Sequence, residues 1–169
     1  MADKITTSAP ARRRTFTSGN RAEQSEFDHE VLEVARVVRV VKGGRRFRFR
    51  AAVIVGDRSG RVGLGIAKSR DVQQAIQKAQ AQATKNVVRV PVINGTIAHP
   101  TMTRFKGAKV MLKPAPSGTG IIAGGTVRMV ATMVGLSDVV SKQLGSGHKV
   151  NNALATIDGL LSQVVAKGK

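Results

Sequence analysis

The chain has no cysteine, no tryptophan and no tyrosine, and only five phenylalanines among 169 residues. Without cysteine there is no disulfide, no thiol nucleophile and no thiolate metal site. With so few aromatic rings, stacking of bases on aromatic platforms cannot dominate any nucleic-acid binding. Long apolar runs are also missing, and none approaches the ~20 residues that a membrane-spanning helix needs. Negative charge is scarce. No glutamate follows Glu33, and no acid of either kind lies between Asp71 and Asp138.

Positive charge is plentiful. The chain carries 28 Lys+Arg against 10 Asp+Glu, a formal charge of +18. The bases are spread along the whole length and have few internal partners. A folded body of this kind repels itself unless a polyanion neutralises it, and nucleic acid is the strongest candidate. A membrane surface fits less well, because no basic amphipathic helix bearing Trp or Leu is present. Hydrophobic residues make up 41% of the chain, enough for a core in one or two small domains.

Lys42-Gly43-Gly44-Arg45-Arg46-Phe47-Arg48-Phe49-Arg50 is the most informative segment. From Arg45 to Val55 it alternates, with Phe47, Phe49, Ala51, Val53 and Val55 on one parity and Arg46, Arg48 and Arg50 on the other. A period of two predicts a strand with one buried and one solvated face, and assigns both phenylalanines to the core. The arginine row beside a glycine turn suits phosphate, since guanidinium forks pair with phosphate oxygens and glycine permits close backbone approach.

The surrounding sequence divides into three parts. Residues 1–26 are polar, contain Arg12-Arg13-Arg14 and show no periodicity, as expected of a disordered basic arm. Asp3, Glu23 and Glu26 count against an organellar transit peptide of similar composition. Residues 27–92 predict three antiparallel strands, over Val31 to Val41, Arg45 to Val55 and Arg61 to Lys68. Gly43-Gly44 serves as the hairpin turn. A helix follows from Arg70 to Asn86, capped by Ser69, with Val72, Ala75, Ile76, Ala79 and Ala83 inward. Gly63 and Gly65 share one face of the third strand and predict a close neighbour there. Residues 93–169 predict β-β-α-β-α. Strands fall on Thr96 to Phe105, Lys109 to Leu112 and Val139 to Leu144. One helix runs from Gly124-Gly125 to Val134 and stops at Gly135; the other covers Val150 to Val165 with Val150, Leu154, Ile157, Leu161 and Val164 inward. The fold class is α+β in two small domains.

Apparent catalytic motifs fail on context. Gly118-Thr119-Gly120-Ile121-Ile122-Ala123 matches a dinucleotide pattern, but Pro114 and Pro116 separate it from the preceding strand and no acid closes the next one. Ala67-Lys68-Ser69 lacks both glycines of a phosphate-binding loop, and His29-Glu30-Val31-Leu32-Glu33 lacks the second histidine of a zinc protease helix. His29, His99 and His148 lie far apart without ligand spacing. These features predict no enzyme, no cofactor and no metal site.

Several segments together resemble small-subunit ribosomal protein five of the bacterial type. They are Val41-Lys42-Gly43-Gly44-Arg45, Gly56-Asp57 through Gly60-Arg61-Val62-Gly63-Leu64-Gly65, Ala75-Ile76-Gln77-Lys78-Ala79, Asn94-Gly95-Thr96 with His99-Pro100, Gly118 through Gly125, and Ala155-Thr156-Ile157-Asp158-Gly159-Leu160. The ordered set covers roughly residues 27–162; no single segment is decisive. The resemblance implies a first domain similar to a double-stranded-RNA-binding fold and a second built on a left-handed β-α-β crossover, against the usual hand. It implies a cytoplasmic ribosomal protein that binds small-subunit rRNA where head meets body. The expected rRNA-binding residues are Lys42, Gly43, Gly44, Arg45, Arg46, Arg48, Arg50, Arg58, Arg61 and Lys68. Gly120 and Arg128 would lie toward small-subunit protein four, an interface tied to decoding accuracy. The second domain would touch protein eight, and with proteins three and four the family lines the channel that admits messenger RNA. Two rivals share parts of this pattern: a free-standing regulator that binds duplex RNA, and an RNA-processing enzyme, which would need more acids than Asp138 and Asp158.

Overall fold

The computed structural model describes residues 27–163. The expected basic arm over 1–26, and Val164 and Val165 of the last expected helix, lie outside the described residues.

The first unit is a four-stranded antiparallel sheet in the order β1-β2-β3-β4, with β1 Asp28–Val41, β2 Gly44–Gly56, β3 Arg61–Ser69 and β4 Val88–Arg89. Three of these strands are the expected ones. The fourth pairs only Arg61 with Arg89 and Val62 with Val88, too short for a periodic signal. Helix α1 (Val72–Lys85) packs across one sheet face through Ala75, Ala79 and Ala83, all fully buried against Ala51, Val53 and Val55. The two strand glycines explain how closely it lies. A Cβ on Gly65 would stand 2.0 Å from the Ala79 carbonyl oxygen, and one on Gly63 would stand 2.4 Å from that of Ala83. The expected cap is corrected: Asp71, not Ser69, caps α1, its Oδ1 accepting from the Val72 N–H at 2.8 Å. Ser69 is still in β3, paired with Phe49 and buried, so the helix begins two residues later than expected.

The second unit is a mixed sheet in the order β5-β6-β8-β7, made of β5 Thr101–Phe105, β6 Ala108–Pro114, β7 Ile121–Ile122 and β8 Val139–Gly145. Helix α2 (Gly125–Val134) links β7 to β8, which run parallel, so these three elements form a β-α-β unit. The two-residue β7 was expected as loop. Gly135 ends α2 in the left-handed region at φ +88°, as expected of a terminating glycine. Helix α3 (Lys149–Leu161) ends short of the expected Val165, and its buried face is centred differently from the expected stripe. Val150, Ala153, Thr156, Ile157 and Leu160 are inward, whereas Leu161 is 42% exposed. His148 caps this helix, its Nδ1 accepting from the Asn151 N–H at 3.3 Å.

Over the inner part of the strands, the sheet face opposite α1 does not meet water. Ala52, Ile54, Val62 and Leu64 join Val127, Val130, Val134, Val110 and Leu112 in a single core that spans both units. A β-bulge admits Leu32 to it: Val31 pairs with Val53 and Glu33 with Ala52, so Leu32 is an extra residue and turns inward, 5% exposed. Backbone contacts reinforce the junction. Arg58 N–H donates to the Met133 carbonyl at 3.0 Å and Gly60 N–H to that of Val134 at 2.9 Å. Gly56 lies so close that a Cβ there would be 2.2 Å from the Met133 oxygen.

Strand β2 therefore has two halves. From Ala51 to Gly56 both faces are buried; from Gly44 to Arg48 both are exposed. The simple division into one buried and one wet face holds for neither half. Phe47, expected in the core, is 44% exposed because the sheet outruns the helix that would cover it, and Phe49 is half-buried at the boundary. The core alternation itself begins at Ala51.

Candidate nucleic-acid interface

The exposed half of β2 and its partner stretch of β1 form a projecting hairpin. Val41 pairs with Gly44, leaving Lys42-Gly43 as a two-residue loop. The turn thus sits one residue earlier than expected. Only Gly44 of the two glycines has a positive φ, +142°, and a Cβ on either would meet nothing within 4 Å. The tip is open on all sides. With ~3.3 Å per residue, the part beyond Phe49 extends some ~17 Å from the core.

Register sorts the hairpin cations into two faces. Arg46 lies opposite Arg39, Arg48 opposite Val37, and Arg50 opposite both Ala35 and Lys68. These residues share one face, because direct partners in an antiparallel pair point the same way. The other face carries Arg45 and Phe47 with Val38, Val40 and Arg36, whose guanidinium sits 3.7 Å from the Phe47 ring centroid. Stacking there gives the misplaced phenylalanine a partner without burying it.

Arg39, Arg46, Arg48 and Lys68 of the first face line a groove of about 260 Å³ together with Val37. A second groove of about 330 Å³ begins at the same Arg48 and Lys68 and continues past Ser69 to Arg70, Gln74 and Lys78 at the start of α1. The two join into one track of six cations running from hairpin to helix. Between Glu33 and Asp57 the sequence holds seven bases and no acid, so the hairpin half of the track has no counter-charge of its own, while Asp71 adjoins Arg70 at the helix end. Arg50 is the exception at its inner end: its Nη2 is 3.8 Å from Glu33 Oε1. Arg39, Arg70 and Lys78 were missed by sequence reasoning. Arg39 could have been found, since a hairpin turning at 42–43 pairs it with Arg46. Arg70 and Lys78 join the track only through the packing of α1 on β3.

The remaining expected residues lie elsewhere. Arg58 and Arg61 are at the opposite end of β2 from the hairpin tip, each beside an acid. Arg58 Nη2 is 3.0 Å from Asp28 Oδ2. Arg61 Nε donates to Asp57 Oδ2 at 2.5 Å, and its guanidinium carbon is 4.9 Å from the Phe27 ring centre. Asp57 also accepts from the Ser59 N–H at 2.8 Å and the Arg61 N–H at 2.9 Å. Burial opposes charge on Asp57, but these hydrogen bonds and the Arg61 charge outweigh it and hold the carboxyl below its ordinary value. Gly120 has φ +76° and donates its N–H to Asp138 Oδ1 at 2.8 Å; Arg128 is exposed on the first turn of α2. Neither belongs to the basic track. His29, His99 and His148 are not brought together, and among the described residues no group of three His, Asp or Glu side chains could hold a metal ion.

This arrangement can neutralise a run of phosphates and brings together no groups for bond-making chemistry. Comparison with known proteins points the same way. The family model "Ribosomal protein S5, N-terminal domain" matches residues 27–91, and "Ribosomal protein S5, C-terminal domain" matches residues 103–167. The chain is 51% identical over 138 residues to "Small ribosomal subunit protein uS5" of Thermotoga neapolitana, covering 82% of this chain and 78% of that one. The protein of the same name from Thermotoga maritima is 50% identical with the same coverage.

Proposed function

The chain belongs to the ribosomal protein S5 family, and from that premise we propose that it clamps small-subunit rRNA with the projecting hairpin. Members of the family are structural, non-enzymatic constituents of the small ribosomal subunit. The observation that carries the finer reading is the continuous cationic track over Arg39, Arg46, Arg48, Lys68, Arg70 and Lys78, whose hairpin half lies in an acid-free stretch of sequence. Arginine forks bind phosphate oxygens bidentately, and each neutralised phosphate releases condensed counterions. Two RNA segments that repel each other can then approach on opposite faces of the hairpin. Lys42, Gly43, Gly44 and Arg45 place the bare tip against RNA, and Arg50 supports the track from its inner end. Arg58 and Arg61, each beside an acid at the other end of β2, lie apart from this track.

In this reading the hairpin steadies the head of the small subunit against its body in the cytoplasmic ribosome. The segment from Gly118 to Arg128, pinned by the Gly120–Asp138 hydrogen bond, faces protein four and bears on translational accuracy. The second unit also meets protein eight, and the protein joins proteins three and four beside the incoming messenger RNA. Fractionation of salt-washed ribosomes tests the assignment. The tagged chain should sediment with the small subunit after a wash that strips loosely held proteins. A chain that sediments apart from ribosomes, and binds isolated duplex RNA, would instead be a free-standing regulator.

A further inference from the structure

The second sheet has one covered face and one bare face. Helices α2 and α3 pack on the side that presents Val110, Leu112 and Val139. Register defines the other side: Met102 lies beside Met111 and Lys142, Arg104 beside Lys109 and Leu144, and Lys113 beside Val140 and Ile122. Arg104, Lys109, Lys113 and Lys142 are exposed, and among the described residues none of the four forms an ion pair. The Arg104 Nε donates to the Lys106 carbonyl at 3.0 Å, which holds its head toward the β5–β6 turn. Among the described residues no acid shares the face. The second unit's two acids are engaged or averted: Asp138 is buried and holds the Gly120 N–H, and Asp158 lies on α3, behind the sheet. Three of the exposed large apolar residues also gather here, Met102 at 61%, Ile122 at 53% and Leu144 at 39%.

We propose that this bare face is a second RNA-binding surface, remote from the hairpin track, that carries one strand of phosphate backbone across Lys109, Lys142 and Lys113. Strand geometry sets the spacing. Lys109 and Lys113 are about 13 Å apart along β6, and Lys142 sits midway on the neighbouring strand, so the three ammonium positions step in a zigzag of about 8 Å. Arg104 extends the row past Lys109, and Met102 and Leu144 offer flexible apolar contact to sugars and bases. Charge complementarity selects RNA over protein as the occupant. Protein interfaces are depleted in lysine. Three of the four cations here are lysines, and among the described residues the face has no acid.

The test is amine acylation of the full chain, free and bound to protein-free small-subunit rRNA, read lysine by lysine. Lys109, Lys113 and Lys142 should be protected several-fold by the RNA alone. Protection that arises only when other ribosomal proteins are added overturns the proposal, because a protein then covers the face. As a second measurement, the variant with Arg104→Gln, Lys109→Gln, Lys113→Gln and Lys142→Gln, its folding checked by circular dichroism, should lower the salt slope of rRNA binding by about 3. An unchanged slope in this folded variant refutes the second surface. The hairpin reading stands or falls separately, by the slope of hairpin variants in the same assay.

Discussion

Salt dependence offers the sharpest test of the hairpin. Consider Arg39, Arg46, Arg48 and Lys68, each replaced by glutamine. All four line one groove, and none has a carboxylate partner among the described residues. If each neutralises one phosphate, the slope of log K against log salt falls by roughly 0.7 to 0.9 per contact, or about 3 for the set. Over a fourfold change in salt, that difference amounts to nearly two orders of magnitude in relative affinity by the same relation. Two controls come from the structure. Arg58→Gln, which removes a cation paired with Asp28 at the far end of β2, should leave the slope unchanged. Arg50→Gln should lower it by less than Arg48→Gln, because Glu33 already shares the Arg50 charge. The assay is filter binding or fluorescence anisotropy with small-subunit rRNA at several salt concentrations. Equal slopes for the fourfold variant and wild type, or an Arg58 effect as large as that of Arg48, would refute the assignment of the track.

Other predictions concern the scaffold. Gly65→Ala puts a Cβ against three backbone atoms of α1, which cannot turn aside as a side chain can. Overpacking of this kind should cost about 3 kcal/mol, a fall of roughly 6–12 °C in Tm by scanning calorimetry; a loss under 2 °C would mean that α1 sits less tightly than described. At the hairpin tip, Gly44→Ala should cost about 1–3 kcal/mol, because φ of +142° is rarely open to L side chains, whereas Gly43→Ala should be nearly neutral. Amide exchange in the hairpin should separate the two, and the same effect from both would show that the loop is misplaced. Asp57 gives a pH signature. Its folded carboxyl titrates below the ordinary value, so its stabilisation is complete above the unfolded value near 3.8 and is lost as pH falls through the lower folded one. Asp57→Asn should therefore destabilise by about 2 kcal/mol at neutral pH, with the gap to wild type closing in acid. A gap that stays constant from pH 7 to pH 2.5 in urea denaturation would contradict this.

The sequence was most legible where one local rule governs a residue. Strand alternation placed Ala51, Val53 and Val55 correctly on one buried face, and Gly63 and Gly65 announced a close neighbour, which is α1. It misled at Phe47, since alternation reports which face a side chain takes and says nothing of whether a neighbour reaches that far along the strand. Ser69 was a sound cap by type, but pairing with Phe49 kept it in the sheet and passed the cap to Asp71. The burial of Ala52 and Ile54 depends on the second unit lying across the first, a long-range contact with no local signature. The basic track shows the same division. Its hairpin half followed from Arg46 and Arg48, while Arg70 and Lys78 joined through tertiary packing alone.

Strand β2 is gripped over its inner half from both sides and free over its outer half. It is built as a cantilever, with the root set between two helices and the load carried at the tip. Its root is wedged against the end of α2 by the contact of Gly56 with Met133. Any displacement at Lys42 that the free half does not take up by bending reaches a tightly seated root, which passes it to the far unit as torque.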